Sequence, residues 1–345
     1  MIAAAIPPAR AGETNPKPKG PGPTDFFKIE EKSDVEYDAK LTSALKNMGP
    51  EEFADAFWPE HSKGLVHPYI RRAGGAVSLI ELPVPPAEAA ALEAADSAYE
   101  KKDYQAARED YFEVLRKFPD SYLAHLHLGD TYSGLGEREK ALSEYRQAIK
   151  LNPDDHAGYT SVGRELARLG KKDDAIAAWT RALALRPHDE STLALAAEFG
   201  IARHAPAFRP KAYVRKENDV IVSYVPGDAP GEEYAHWYRW AACKAVWLGE
   251  PEYAAAHRST KKGWTGEEDI ECMLNLLVAY KVHLEHGNGK GTDPELDRLL
   301  PLLDDLLLRE FVVYEIGARY SPDIVLMLRN PKLDMDAYVR KYVLH

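Results

Sequence analysis

Cysteine is almost absent from this 345-residue chain, which has only Cys243 and Cys272. That excludes a disulfide framework and any cysteine-clustered metal site. Both residues fall in segments that read as buried helices, where two small apolar fillers are expected and a bridge between them is the alternative. Long apolar runs are missing too. The most apolar stretch, Leu299 to Ala318, is interrupted by Asp304, Asp305, Arg309, Glu310 and Glu315. Each is costly in hydrocarbon, so the stretch reads as a core helix and no transmembrane segment is expected. Positive charge is not in excess: 55 acidic against 44 basic residues leave a formal charge of -11. Lys and Arg are interleaved with Asp and Glu, as across Glu137 to Glu144, and no basic stripe remains to hold a phosphate backbone. Nucleic acid is therefore not an expected partner.

Reaction chemistry is sparse as well. Gly287-Asn288-Gly289-Lys290-Gly291-Thr292 has the ingredients of a phosphate-binding loop in the wrong order, because Gly291 separates the lysine from the hydroxyl. It reads as an interhelical loop. His283 and His286 share a helix face, but with Glu285 between histidines spaced by three they lack the metalloprotease arrangement. No metal or other cofactor is expected. His125 occupies a packing position, and no serine elbow or Cys/His pair is visible.

What is present is an ordinary globular composition, 45% hydrophobic and 29% charged, in a chain long enough for two or three domains. Residues 1–24 read as a leader and tether. Met1 to Ile6 is apolar and Ala9-Arg10-Ala11 resembles a secretory cleavage site, so export and a simple disordered leader both stay open. Six prolines between residues 7 and 23 then predict a flexible stretch. Residues 25–86 hold enough aromatics for a small unit, with helices predicted over Val35 to Asn47 and Pro50 to Phe57 and a short strand over Ala76 to Leu82. Pro83, Pro85 and Pro86 close it.

Residues 87–204 repeat. Pro119, Pro153 and Pro187 stand 34 residues apart, as do Ala107, Ala141 and Ala175, then Tyr111, Tyr145 and Trp179. Gly129 pairs with Gly163 and Gly136 with Gly170 at the same interval in the later two copies. Each period reads as two antiparallel helices. His125, Leu128, Gly129 and Tyr132 mark one face of a first helix, Gly136 breaks it, and Ala141, Tyr145 and Ala148 mark the second. Small Gly129 and Ala141 let the axes approach while Tyr132 and Tyr145 fill the wedge beside them. A single pair leaves an apolar face bare, so the pairs must stack.

These residues resemble the tetratricopeptide repeat (TPR) family. They are His125-x2-Leu128-Gly129-x2-Tyr132, Ala141-x3-Tyr145 and Pro153, with Tyr159-x2-Val162-Gly163-x2-Leu166, Ala175-x3-Trp179 and Pro187 in parallel. A first copy keeps only Ala107-x3-Tyr111 and Pro119, with Ala91, Ala94, Ala95 and Ala98 ahead of them, as terminal repeats often do. Glu190 to Ala202 reads as a capping helix. The resemblance covers about a third of the chain. It implies a helical solenoid whose first helices line a concave groove for a peptide or partner helix. The groove positions are Leu92, Asp96 and Tyr99, then Leu126, Asp130 and Ser133, then Thr160, Arg164 and, one place past register, Arg168. Leu and Tyr are expected as anchors, the aspartates as acceptors for a basic group, and the arginines as a fork for a carboxylate. Members that clamp chaperone tails use Lys and Asn, where this chain has Leu126 with Asp130 and Thr160 with Arg164, so it departs from that clamp.

Residues 205–345 read as mainly helical. Ala212 to Val214 and Val220 to Val225 predict a hairpin around Lys216 to Asp219. Helices follow over Glu232 to Leu248 and Gly266 to His286, the latter opened by Thr265 and Glu268 as a capping box. Asp293-Pro294 and Ser321-Pro322 mark further starts. Trp237, Trp240 and Trp247 lie on a helix apolar on two sides and are expected in the core. The fold class is thus mainly α: a three-repeat solenoid with a capping helix, an α-rich C-terminal domain with a hairpin, and a small N-terminal unit. The leading function is a noncatalytic adaptor or assembly factor that binds a protein partner through the groove. An enzyme in the C-terminal region and self-association into a homo-oligomer are the alternatives.

Overall fold

The computed structural model describes residues 25–41, 65–74, 76–201, 208–225, 235–258, 266–286, 293–318, 327–328, 330 and 332–344. In chain order, helix α1 (Phe26–Glu30) and strand β1 (Glu36–Leu41) precede a hairpin of β2 (Pro68–Ala73) and β3 (Ala76–Glu81). Seven helices follow: α2 (Pro86–Glu100), α3 (Tyr104–Lys117), α4 (Tyr122–Gly134), α5 (Arg138–Leu151), α6 (His156–Arg168), α7 (Lys172–Leu185) and α8 (Glu190–Glu198). Strands β4 (Tyr213–Glu217) and β5 (Val220–Val225) lead into α9 (Ala235–Gly249), α10 (Pro251–His257) and α11 (Glu267–His286). Short turns complete the chain: α12 (Pro294–Leu299), α13 (Pro301–Asp304), α14 (Leu308–Phe311), a π-helix over Val312–Gly317, α15 (Met335–Tyr338) and a π-helix over Val339–Val343.

The chain forms two compact units, Met1–Glu60 with Phe208–Val312, and His61–Ala207 with Val313–His345. They interleave along the chain, whereas the sequence suggests consecutive segments.

In the second unit, α2 to α7 are three helix pairs and α8 is the expected cap. Helix α2 starts behind Pro85 without a side-chain cap, whereas the same repeat position opens α4, α6 and α8: Ser121, Asp155 and Asp189 accept from Ala124 N, Ala157 N and Thr192 N. Each satisfies an otherwise orphaned amide. The turn inside each pair uses a left-handed residue at φ 59°, 77° and 75°, namely Lys102, Gly136 and Gly170. Only the first copy sets a side chain there, which is part of its degeneracy. Close helix approach follows the small-residue pattern. A Cβ on Gly129 would stand 2.5 Å from the Tyr145 ring, and one on Gly163 would collide with Trp179. The first copy has Ala95 at that position. Tyr111, Tyr145 and Trp179 are all fully buried, and burying each such ring stabilises the stack by about 2–3 kcal/mol. The last residues of the chain belong here too. Asp336 lies 3.6 Å from Arg181 of α7, and Tyr314 packs on His188 at 4.8 Å between ring centroids.

In the first unit a three-stranded sheet has the order β1-β5-β4. β1 runs parallel to β5 in the register Glu36↔Val220 to Leu41↔Val225, and β4 is antiparallel to β5. The helix expected over Val35 to Asn47 is therefore a strand across Glu36–Leu41, with the rest of that span outside the described residues. Glu36 and Asp38 are exposed and Tyr37 between them is partly buried. Pairing with β5, far along the chain, decides the strand over any local helix preference. The β4–β5 hairpin turns at Asn218, φ 56°, as its polar turn predicts.

Helix α9 packs on the sheet, and Trp237, Trp240 and Trp247 are buried as expected. Cys243 and Cys272 are not separate fillers but a disulfide, with Cα atoms 5.5 Å apart, tying α9 to α11. Their two helices pack side by side, which brings both buried thiols into bridging range. Asp293 caps α12 as predicted. The helix over Pro50 to Phe57, the Thr265 capping box and the Ser321-Pro322 start lie outside the described residues.

Candidate functional site

The first helices α2, α4 and α6 carry the expected groove residues at one repeat position after another, and two pairs of them, Asp130 with Arg164 and Ser133 with Arg168, bind each other. Asp96 Oδ1 accepts from Tyr111 Oη (2.5 Å) and from His127 Nδ1 (2.9 Å). One repeat on, Asp130 Oδ1 accepts from Tyr145 Oη (2.7 Å) and from Arg164 Nη2 (2.8 Å). Arg164 also donates to Tyr145 Oη (2.7 Å) and, through Nε, to Glu165 Oε1 (3.1 Å). Glu165 is fully buried and receives Ser133 Oγ (2.6 Å) and Arg168 Nη1 (2.9 Å) as well. Thr160 and Thr192 share a hydroxyl hydrogen bond of 2.7 Å, which ties the third repeat to the cap.

A rule connects these contacts. Asp96 and Tyr111, Asp130 and Tyr145, and Arg164 and Trp179 are each separated by 15 residues. Where the second helix carries a tyrosine, the first helix carries an aspartate to accept its hydroxyl. Trp179 has no hydroxyl, and its Nε1 donates instead to the Thr160 carbonyl at 3.1 Å. Its groove position is thereby released to an arginine, which reaches back to the preceding repeat. The result is a polar ladder along the first helices.

The ladder's protonation follows from its geometry. Burial works to raise the Asp96 carboxyl, but hydrogen bonds from His127 and Tyr111 outweigh it and hold the group below the usual range. Burial, then the neighbouring aspartate, pushes the hydroxyls of Tyr111 and Tyr145 far up, so both stay protonated donors. Tyr99 is raised by burial and lies against Tyr104 at 5.5 Å.

The structure thus joins Asp130, Ser133, Arg164 and Arg168 in one hydrogen-bonded system, while Asp96 forms a separate rung with Tyr111 and His127. Leu92 and Leu126, expected as anchors, are buried instead; apolar side chains at this position are taken up by packing rather than offered to a partner. The aspartates and arginines, expected to await a partner's charges, are paired with each other or with tyrosine and histidine. Two ends of the ladder remain open. Asp96 keeps Oδ2 without a hydrogen bond and has a side chain 39% exposed. Arg168 bonds only through Nη1, leaving Nε and Nη2, and is 38% exposed. Sequence reasoning missed His127 and Glu165, which hold the ladder from inside; the 15-residue separation was the available signal for the Asp–Tyr pairs.

The first unit has its own polar contacts. Lys244 meets Glu268 (2.6 Å) and Asp269 (2.8 Å), while Trp247 and Tyr253 both donate to Glu271. Burial raises the Glu30 carboxyl to about 7. Burial, then the charge of His283, lowers His236 to about 4. His283 faces His236 at 5.0 Å between ring centroids, and His286 donates to the Val282 carbonyl, so the pair considered from sequence does not converge. Among the described residues, no three His, Cys, Asp or Glu side chains gather as metal ligands. No helix there is long and apolar enough to cross a membrane.

Repeated helix pairs with a glycine-seated aromatic define the class, an α-helical repeat solenoid. A tetratricopeptide repeat model matches residues 92–156 and again 128–190, so this chain contains tetratricopeptide repeats over that span. Among solved structures, the chain is similar to the Arabidopsis OM64 TPR domain, at 18% identity and a TM-score of 0.32, covering 33% of this chain and 94% of that one. It is equally similar to the second TPR domain of human RPAP3 in complex with an HSP70 peptide, with the same four values. The first TPR of Spaghetti bound to an HSP90 peptide gives 18%, 0.32, 33% and 90%. No curated protein matches the chain.

Proposed function

We propose that the chain is a noncatalytic adaptor or assembly factor that holds a segment of another protein along the concave face of its repeats. The observation that carries this reading is the pair of open ladder ends, Asp96 in the first repeat and Arg168 in the third. A partner segment with a cationic group toward Asp96 and a carboxylate toward Arg168 complements both, and Arg168 offers two donors for a forked contact. Tyr99, partly buried one turn beyond Asp96 on α2, supplies an aromatic surface. The interior of the ladder sets the backbone of the groove rather than contacting the partner.

The Cys243–Cys272 bridge supports maturation in an oxidising compartment, where such a bond persists. The partner is then a protein of the same compartment.

Site-specific photo-crosslinking tests the groove. A benzoylphenylalanine at Tyr99 or at Ala167, the residue 34 places after Ser133 and next to Arg168, should capture a discrete partner in the native organism, while the same group at exposed Arg146 on α5 should not. Equal capture from Arg146, or none from either groove position, contradicts the proposal.

A further inference from the structure

We infer that the segment around the β2–β3 hairpin is a strap across the repeats, and that His67 is the positioning residue that fastens it. Its functional meaning rests on the groove reading above; its geometry does not.

Helices α2, α4 and α6 begin at Pro86, Tyr122 and His156, so their starts lie along one rim of the array. The base of the hairpin is closed by Leu82 N donating to the His67 carbonyl at 2.9 Å. On one side of that base only Pro83 to Pro85 separate Leu82 from the first repeat. On the other side, His67 Nδ1 lies 2.7 Å from Asp155 Oδ2, and Asn152 Nδ2 donates to the Pro68 carbonyl at 3.0 Å. Asn152 ends α5 and Asp155 opens α6, so this second anchor sits at the junction of the second and third repeats. Between the two anchors, the Tyr122 hydroxyl donates to the same Asp155 oxygen at 2.6 Å and its ring meets His67 edge-on at 5.8 Å. One short segment therefore reaches from the first repeat to the third.

The anchor is built for permanence. The Asp155 side chain is completely buried, Asn152 is buried, and the His67 ring is 23% exposed. Other charged or titratable groups facing the anchor are His156, 3.1 Å from Asp155 Oδ1, then Asp189 and Arg186 around His156, and Glu81, which accepts from His67 N at 3.1 Å. Ser121 and Asp189 occupy the repeat position of Asp155, yet the His67 contact belongs to Asp155. Removing His67 leaves a buried carboxylate with one donor fewer.

A stack of repeats contacts only its neighbours and flexes at each interface. A strap joining the first repeat to the start of the third opposes that flexing and fixes the span between Asp96 and Arg168. A groove held at one span is preorganised for its partner.

The test uses the full chain with spin labels at Glu100→Cys and Lys172→Cys, both exposed positions on the first and third repeats. The native cysteines are bridged, so the labels report the introduced sites alone. The inference predicts a narrow distance distribution that broadens in His67→Ala and in Asn152→Ala, and that narrows again in His67→Gln, which retains a side-chain N–H. Amide exchange at Leu82 should accelerate about tenfold or more in His67→Ala, from the loss of a charge-assisted hydrogen bond. Unchanged width and unchanged exchange in both alanine variants overturn the strap. If His67→Ala does not fold, Asn152→Ala decides alone. Broadening without any partner captured at Tyr99 or Ala167 refutes the groove reading and leaves the strap standing; capture without broadening does the reverse.

Discussion

The repeat unit and the sheet-containing unit are held by opposite strategies. In the repeats, the packing contacts recur at a fixed interval: cap, left-handed turn residue, small seat and aromatic ring return 34 residues apart. In the other unit, contacts are unique and distant, with β1 paired to β5 and α9 stapled to α11 by one disulfide. Periodic contacts distribute stability over many equivalent places, and unique ones concentrate it. Substitutions should expose the difference.

The largest effect is expected at the staple. Replacing Cys243 and Cys272 by serine opens a loop of 29 residues and should cost about 3–4 kcal/mol. Tryptophan fluorescence from Trp237, Trp240 and Trp247 should report the lower midpoint, while amide exchange in α4 to α7 stays unchanged. Loss of protection in both units together would break the comparison. Within the repeats, Gly163→Ala forces a methyl into the Trp179 ring and should cost about 2–3 kcal/mol, read by denaturant unfolding.

The ladder gives a sharper contrast between neighbours. Arg164→Ala removes three hydrogen bonds and leaves Asp130 and Glu165 short of a donor, so stability should fall by about 2 kcal/mol. Arg168→Ala, at an exposed ladder end, should change stability by less than about 1 kcal/mol and act on partner affinity instead. Equal stability effects would show that the ladder has no inside and outside.

Titration separates the units by pH. Burial pushes the folded Glu30 carboxyl up to about 7, above its ordinary value of 4.5. The folded state therefore holds a proton that the unfolded state has lost, and this destabilises the fold progressively from about pH 4.5 to 7. Glu30→Gln should be close to neutral in stability at pH 4 and stabilising at pH 8, measured by thermal melting. A larger benefit at pH 4 would contradict the sign. The smallest effect belongs to the degenerate first repeat, where Lys102→Gly relieves a left-handed side chain and should stabilise by about 0.5–1 kcal/mol.

This contrast also explains what was legible. Gly129, Tyr145, Ala141 and Pro153 reveal the solenoid because their spacing is local and repeated. Strand β1 was read as helix because its partner, Val220 to Val225, lies far along the chain and no local pattern names it. The disulfide stayed an alternative for the same reason: two cysteines among buried helix residues look like fillers until the helices are placed side by side. In the groove, residue positions were legible but their engagement was not, since Asp130 and Arg164 look like free charges until the 34-residue period puts them in contact.

The most direct test of the account compares the partners retained by the intact chain and by Arg168→Glu, captured from the native organism and quantified by mass spectrometry. The account predicts that a discrete set of proteins retained by the intact chain is lost from the variant while the melting temperature is preserved. The same proteins retained by both, at equal yield, would contradict it.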